Sequence, residues 1–271
     1  MKFSNPHTHS LFCDGKNTLG EMIERAEELG FVSLGFSSHA SQTANDFYGL
    51  RDEKAYIENV RRLQKENDRI RIHLGVELDS VAWCDREKYD YILGGFHYLM
   101  EDGFIYPIDG SRERIQAGID HLYGGDSVKA AKAFFRSVAE ACEQMKPDIV
   151  AHYDLINKNN EDGTLFDIEN PAYRNAALEG LEAVKACGAI LEVNTGAMAR
   201  GYRTTPYPYP FVLKRWKEMG GRVILGSDCH NRDFLNHGFD LALDLIRAAG
   251  FNTVVRLGGF GEALFVEEGI K

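Results

Sequence analysis

Two histidines separated by a single residue stand near the start of the chain, in the stretch Asn5-Pro6-His7-Thr8-His9-Ser10. If residues 2–5 form a strand, His7 and His9 follow its end on the same side of the chain, because side chains alternate along a strand. Two imidazoles placed in this way can reach one metal ion, and Asp14 adds a carboxylate oxygen nearby. Such a mixture of nitrogen and oxygen ligands suits Zn, Mn, Fe or Ni better than Ca.

Residues that can bind a metal recur where the later apolar runs of the chain end. They are His39, Glu77, His97, His152, Asn194, Asp228 and His230. Together with the first pair, six of the nine histidines of the chain occupy such positions. In a parallel α/β barrel the carboxyl ends of all strands meet at one rim, which is where active sites lie. We therefore expect these residues to form one metal-binding cluster.

Short apolar runs alternate with amphipathic segments along most of the chain, which is typical of a parallel sheet covered by helices. Predicted strands lie at 2–5, 31–36, 70–78, 89–94, 149–152, 189–193, 223–226 and 253–257. Predicted helices lie at 18–29, 52–68, 128–145, 172–186, 211–219 and 241–249. Thr18 and Glu21 form a capping-box pattern at the first helix. Seven or eight strand–helix units in 271 residues favour a closed α/β barrel over an open sheet.

Residues 98–126 interrupt this alternation, and we expect an irregular insertion there, over one end of the fold. No linker-like stretch divides the chain, so we expect a single domain spanning residues 1–271. Neither a Gly-x-Gly-x-x-Gly motif after the first strand nor a Walker loop is present, which argues against the common nucleotide-binding folds. Of the remaining histidines, we expect His73 to be structural, His121 to be exposed and His237 to follow the last metal ligands.

The composition limits the class of function. The formal net charge of −10 argues against a nucleic-acid partner, because such a protein needs a basic face. The five cysteines are widely spaced without a C-x-x-C pair, which is typical of free thiols in a reducing compartment. The sequence shows no signal-peptide pattern and no apolar run long enough to span a membrane. We therefore expect a cytoplasmic protein that has no membrane partner.

The metal-binding residues and their order resemble the polymerase-and-histidinol-phosphatase (PHP) family. The resemblance runs from residue 3 to about residue 231 and uses nine positions, which are His7, His9, Asp14, His39, Glu77, His97, His152, Asp228 and His230. Within this family the chain is most similar to the histidinol-phosphate phosphatases. The segments that carry this second similarity are 94–97, 106–109, 151–156 with Lys158, 192–197 with Arg200, and Tyr207-Pro208.

Such a resemblance implies a distorted parallel (β/α)7 barrel, similar to a TIM barrel, and a centre of three divalent metal ions. Zn is the expected metal, with Mn or Fe as the alternatives. The implied ligand sets are His7, His9, Glu77 and Asp228 for one ion; Glu77, His97 and His152 for the second; and Asp14, His39 and His230 for the third. The implied reaction is hydrolysis of L-histidinol phosphate to L-histidinol and phosphate, in histidine biosynthesis, by a hydroxide that bridges two ions. Glu77, Asp228 and His230 would be the catalytic residues, with Asp228 or a metal-bound water protonating the leaving alkoxide.

Four further residues are candidates for binding the substrate. We expect Arg200 and Lys158 to bind the phosphate, since Arg offers a two-pronged contact and Lys a point charge. Arg203 is an additional candidate for the same role. Asp109 and the aromatic residues of 98–126 can accept hydrogen bonds from the ammonium and imidazole groups of histidinol.

Three other functions remain open at the level of sequence. The same metal site could serve a phosphoesterase that acts on another small phosphate ester or a nucleotide. A metal-dependent amidohydrolase also carries His-x-His in a barrel, but it needs a lysine at a strand end, where this chain has His or Glu. A non-enzymatic metal-binding protein would lack pocket cations and activity on phosphate esters.

Overall fold

The computed structural model describes residues 1–41 and 48–270. The strands are β1 (Ser4–Asn5), β2 (Ser33–Phe36), β3 (Arg71–Asp79), β4 (Tyr91–Gly95), β5 (Tyr98–Glu101), β6 (Phe104–Pro107), β7 (Ile149–Val150), β8 (Ile190–Asn194), β9 (Val223–Gly226), β10 (Thr253–Leu257) and β11 (Phe265–Gly269). The helices are α1 (Leu19–Glu28), α2 (Glu53–Glu66), α3 (Arg112–Tyr123), α4 (Ser127–Met145), α5 (Pro171–Ala186), α6 (Gly196–Ala199), α7 (Pro210–Glu218) and α8 (Phe239–Ala248).

Seven parallel strands form the barrel, in the order β1-β2-β3-β4-β7-β8-β9. The two ends of this series meet through two backbone hydrogen bonds. The N–H of His9 donates to the carbonyl of Cys229 at 2.9 Å, and the N–H of Cys229 donates to the carbonyl of His7 at 3.1 Å. Beside them, β10 pairs in parallel with β9, and β11 runs antiparallel to β10. The predicted distorted (β/α)7 barrel is therefore confirmed, with β10 and β11 as its additional strands.

The helices begin where the sequence places their caps. The hydroxyl of Thr18 accepts a hydrogen bond from the Glu21 N–H, and Glu21 returns one to the Thr18 N–H, as the capping box predicts. Asp52 caps α2 with a single hydrogen bond, which its side chain accepts from the N–H of Ala55. Each of these helices buries one face against the sheet and leaves the other in solvent. This outer layer fixes the strands whose ends carry the site.

Inside the barrel, Tyr91 supports the segment that carries the first two histidines. Its ring lies over Gly35 and Gly75, where an added Cβ would come within 2.3 and 2.4 Å of Tyr91 atoms. Its hydroxyl donates a hydrogen bond to the carbonyl of Pro6. The two glycines therefore leave room for an aromatic side chain that holds the backbone just before His7.

The expectation of an irregular insertion at residues 98–126 is wrong as to secondary structure. The antiparallel hairpin β5–β6 occupies its first part, and α3 follows, with Ser111 as its N-cap and Gly124 ending it at φ 63°. The aromatic and glycine residues obscured the helical period, although the Ser and Gly signals were present. The prediction of a single domain over residues 1–271 stays a prediction.

The three other histidines lie outside the ligand cluster. His73 is buried, and its Nε2 lies 2.8 Å from the carbonyl of Gly258, consistent with a structural role. His121 is exposed, and its ring contacts Phe104. His237 is exposed and packs against Phe234. Within residues 1–41 and 48–270, no helix is both long and apolar enough to cross a membrane.

The packing of α4 against α5 gives a first testable prediction. Phe135 is 1% exposed, and its ring centroid lies 5.3–5.7 Å from those of Phe134, Tyr153 and Tyr173. Phe135→Ala should lower the free energy of unfolding by about 3–5 kcal/mol, because it removes buried area and leaves a cavity. Phe135→Leu, which keeps most of the side-chain volume, should lower the free energy of unfolding by clearly less than Phe135→Ala in the same urea titration. Equal losses for the two variants would contradict this account of the packing.

Candidate metal centre

The nine predicted ligands all lie at the carboxyl-terminal rim of the barrel. His7 and His9 follow β1, His39 follows β2, and Glu77 lies near the end of β3. The remaining members follow β4, β7 or β9, or stand in the loop before α1, and they are His97, His152, Asp228, His230 and Asp14. Their ligand atoms form four overlapping groups, and within each group all atoms lie within 4.8 Å of one another. The structure thus brings together every residue that the pattern of strand ends predicted, except Asn194.

Glu77 stands at the centre of this cluster and is 1% exposed. Its Oε1 lies 3.0 Å from His152 Nε2 and 3.5 Å from His97 Nε2. Its Oε2 lies 2.9 Å from His39 Nδ1 and 3.2 Å from His7 Nε2. The two oxygens of one carboxylate therefore face two different sets of imidazoles, the arrangement in which a carboxylate can serve two neighbouring ions.

A second carboxylate, Asp228, faces the histidines that follow β1. Its Oδ1 lies 3.2 Å from His9 Nε2 and 3.5 Å from His7 Nε2. Both Nε2 atoms and Oε2 of Glu77 are buried without a hydrogen-bond partner among the described residues. Buried polar atoms are normally paired, so a set of unpaired atoms that face one another fits a bound cation.

The third part of the cluster is nearer to solvent and is built around Asp14. Its carboxylate oxygens lie 3.2 Å from His230 Nε2, 3.7 Å from His9 Nδ1 and 3.9 Å from His39 Nε2. The side chain of Asp14 is 31% exposed, whereas that of His9 is fully buried. His9 therefore presents one ring nitrogen to the buried part of the cluster and the other to its outer part.

The backbone at this rim is held in conformations that non-glycine residues seldom adopt. His152 has φ 25° and Asp228 has φ 46°. Positive φ costs free energy in residues with a Cβ and is found repeatedly at functional sites. Gly196 packs against Asp228, where an added Cβ would lie 2.8 Å from the Asp228 Cβ.

Two buried carboxylates that we did not predict as site residues hold ligand histidines from behind. Asp79 Oδ2 lies 2.6 Å from His97 Nδ1, and Glu192 Oε1 lies 2.9 Å from His7 Nδ1. Each leaves the opposite ring nitrogen of its histidine facing Glu77. A charged residue inside an apolar strand run was the signal for both, because such a residue must be paired when it is buried.

The charges of the cluster separate His7 from His9. Burial opposes protonation of His7, but the carboxylates of Glu192, Glu77 and Asp228 together raise its pKa well above the usual value. Burial, together with the neighbouring imidazoles of His230 and His39, lowers the pKa of His9 to about 3, and its contacts with Asp228 and Asp14 offset this only in part. Without a bound cation, the imidazole of His7 is positively charged at neutral pH and that of His9 is neutral.

His97 behaves like His7. Burial opposes its protonation, yet the hydrogen bond to Asp79 and the charge of Glu77 raise its pKa to about 9. Burial also disfavours the charged forms of Glu77 and Asp228, but the surrounding cations hold the pKa of both carboxyls well below the usual range. The carboxylates are thus ionised and suited to bind divalent cations.

A cleft of about 110 Å³ opens directly onto the cluster. Its walls are Asp14, His39, Tyr48, His97, Tyr98, Pro107, Asp109, Arg114, Asp228 and His230. A larger groove of about 790 Å³ lies elsewhere, beside Trp83 and Cys187, and touches none of the nine ligands. The smaller cleft is the candidate site because five of the nine ligands form part of its walls.

Three of the four predicted substrate-binding residues lie close to this cleft. Arg200 donates from Nη2 to Asp228 Oδ2 at 2.7 Å. Lys158 is buried and donates from Nζ to Asp109, which lines the cleft. Arg203 is different, because its guanidinium donates to Thr205 and to the carbonyl of Asn157, and the rings of Tyr207 and Tyr209 cover it.

Comparison with known families assigns the chain to a family. Residues 5–196 match the sequence model of the PHP domain. The chain belongs to the PHP family. This PHP protein is 25% identical to a Schizosaccharomyces pombe protein named "Probable histidinol-phosphatase", over 92% of the chain and 87% of the relative.

Two crystal structures share its fold. A Listeria monocytogenes protein superposes with a TM-score of 0.76 at 23% identity, covering 88% of this PHP protein and 99% of the other chain. A histidinol phosphate phosphatase from Lactococcus lactis, solved with Zn, L-histidinol and phosphate, gives a TM-score of 0.71 at 19% identity, with coverages of 94% and 96%. At these identities the two structures support the shared fold and nothing finer.

Proposed function

We propose that this PHP protein hydrolyses L-histidinol phosphate to L-histidinol and phosphate, a step of histidine biosynthesis, with the help of bound divalent ions. One observation carries the proposal: a buried cluster of imidazoles and carboxylates opens onto a small cleft in a PHP barrel. The curated relative from fission yeast bears the name of the same activity. The mixed nitrogen and oxygen ligands favour Zn, with Mn or Fe as alternatives.

We assign the ligands to three ions. The sets are His7, His9, Glu77 and Asp228; then Glu77, His97 and His152; then Asp14, His39 and His230. The opposite orientations of the two Glu77 oxygens support the first two sets, and the contacts of Asp14 support the third. The chemistry that such ions supply when bound is a lowered pKa of water and stabilisation of charge on phosphoryl oxygens.

The residues of the chain then have separate tasks at the phosphate. Arg200 holds Asp228 through Oδ2, so that Oδ1 keeps its orientation toward His7 and His9. The positively charged guanidinium of Arg200 and the ammonium of Lys158 attract the negatively charged phosphoryl oxygens. The departing alkoxide needs a proton. Asp228 is ionised, so it can supply this proton only after accepting one from the attacking water; a water molecule at the centre is the alternative donor.

The leaving group is recognised by the opposite wall of the cleft. Asp109 is exposed there and accepts from Lys158, so it can accept hydrogen bonds from the ammonium or imidazole of histidinol. Tyr48 and Tyr98 supply aromatic surface beside it. In this proposal Arg203 positions the loop that contains Thr205 rather than touching the phosphate.

A panel of phosphate esters tests the proposal. Protein loaded with Zn or with Mn should turn over L-histidinol phosphate at least 100-fold more efficiently, in kcat/KM, than nucleoside monophosphates or p-nitrophenyl phosphate. Such a ratio corresponds to about 3 kcal/mol of discrimination. Preference for a nucleotide would indicate another phosphoesterase, and bound metal without any turnover would indicate a metal-binding protein that is not an enzyme.

A further inference from the structure

Glu192 is a buried carboxylate that lies behind the metal centre. It is on β8, is 0% exposed and does not belong to the nine candidate ligands. Its Oε1 lies 2.9 Å from His7 Nδ1. Its Oε2 accepts from the backbone N–H of His152 at 3.0 Å and from Asn194 Nδ2 at 2.8 Å. One side chain thus contacts ligand residues that follow β1 and β7.

The contact with His7 determines which ring nitrogen is free. A carboxylate can only accept, so Nδ1 of His7 must carry the proton in their hydrogen bond. In the neutral form of His7, Nε2 then keeps its lone pair, and Nε2 lies 3.2 Å from Glu77 Oε2 and 3.5 Å from Asp228 Oδ1. An imidazole binds a cation through a lone pair, so this tautomer is the one that the centre needs.

The surroundings of Glu192 are built to hold it in this position. An added Cβ at Gly226 would lie 1.8 Å from Glu192 Oε1, so the strand facing it carries no side chain there. Asn194 is fixed in turn, because its Oδ1 accepts from the Gly196 N–H at 2.8 Å. Its amide nitrogen therefore faces Glu192 as a donor.

We propose that Glu192 is a positioning residue of the metal centre, which fixes the tautomer of His7 and joins His7 to the backbone at His152. The inference rests on the metal centre of the proposed function. Glu192 does not touch an ion or the substrate in this account. It acts through His7.

Glu192→Gln is the sharpest test, because an amide offers only one acceptor oxygen to three donors. If the amide nitrogen took the position of Oε2, its N–H groups would face two other donors, the N–H of His152 and the side-chain amide of Asn194. If the amide nitrogen took the position of Oε1, its N–H groups would face only one donor, His7 Nδ1, so we expect this orientation. His7 then shifts its proton to Nε2, which removes the lone pair from the centre.

Metal binding measures the effect without any reference to turnover. Competition with a chromogenic Zn chelator should show one ion bound 10–100-fold more weakly in Glu192→Gln than in the unmodified protein. Glu143→Gln, the same change on the exposed side of α4, is the matched control and should bind all ions normally. Asp79→Asn should weaken a different ion, the one near His97.

A second measurement separates positioning from simple loss of folding. In ¹⁵N-histidine NMR of the Zn-loaded protein, His7 should show a protonated Nδ1, and this signature should be lost in Glu192→Gln while other resonances remain dispersed. Unchanged metal affinities and an unchanged His7 signature in the folded variant would overturn the inference. If the unmodified protein itself takes up no Zn, the proposed metal centre fails instead.

Discussion

Glu77→Gln is expected to lower kcat/KM for the phosphate ester by about 10³-fold or more. This factor corresponds to roughly 4 kcal/mol, the size of the stabilisation that bound metal ions supply to a phosphoryl transition state. Glu77 faces His7, His39 and His152 at 2.9–3.2 Å, and glutamine would turn an N–H₂ group toward some of these nitrogens. The change removes both a negative charge and an acceptor from the middle of the cluster.

The metal content of the same variant distinguishes this explanation from a direct catalytic role. Inductively coupled plasma mass spectrometry should find at least one ion fewer per chain in Glu77→Gln than in the unmodified protein after dialysis. Thermal unfolding recorded in parallel checks that the variant is folded. Full metal content together with full turnover would show that Glu77 is not the shared ligand.

The second large effect is on the pH dependence of Zn uptake. In protein stripped of metal, His97 has a pKa of about 9, so below that pH a proton occupies the group that an ion must reach. Apparent affinity at this position should therefore rise about tenfold per pH unit as pH increases and become constant above about 9. His9, whose pKa is about 3, is already neutral throughout this range and contributes no such dependence.

Calorimetry in buffers of different ionisation enthalpy measures the protons released on Zn binding. Release at pH 7 is expected, because His7 and His97 both start protonated. Asp79→Asn removes the charge of the carboxylate whose hydrogen bond most strongly raises the pKa of His97, so the affinity should become constant at a lower pH. Zn binding without proton release at pH 7 would contradict this description of the cluster.

The metal cluster could be predicted from sequence because strand ends are easy to find. Buried parallel strands are apolar runs, so a polar residue that ends such a run stands out, as His97 and His152 do. Parallel topology then requires these ends to converge. The strand 223–226 was predicted with its observed bounds for the same reason, since Gly220-Gly221 precedes it and polar residues follow it.

Other parts of the structure depend on contacts that sequence does not display. Glu192 and Asp79 were missed because their partners, His7 and His97, lie 185 and 18 residues away. The helix α3 was missed because the glycine and aromatic residues of this region weaken the helical period, and because Gly118 packs closely against Tyr106 of β6, a contact that sequence does not display. Arg203 looked like a phosphate ligand by type alone, whereas the fold shows that each of its three guanidinium nitrogens already donates a hydrogen bond, to Thr205 or to the carbonyl of Asn157.

The most direct test of the central claim is a crystal structure of the Zn-loaded protein with anomalous data collected above and below the Zn absorption edge. Three anomalous peaks are expected at the rim of the barrel, two of them beside the oxygens of Glu77 and one beside Asp14. Each peak should lie about 2.0–2.2 Å from the imidazole nitrogens and carboxylate oxygens assigned to it. Anomalous peaks confined to the protein surface, with none within bonding distance of Glu77, would contradict the account.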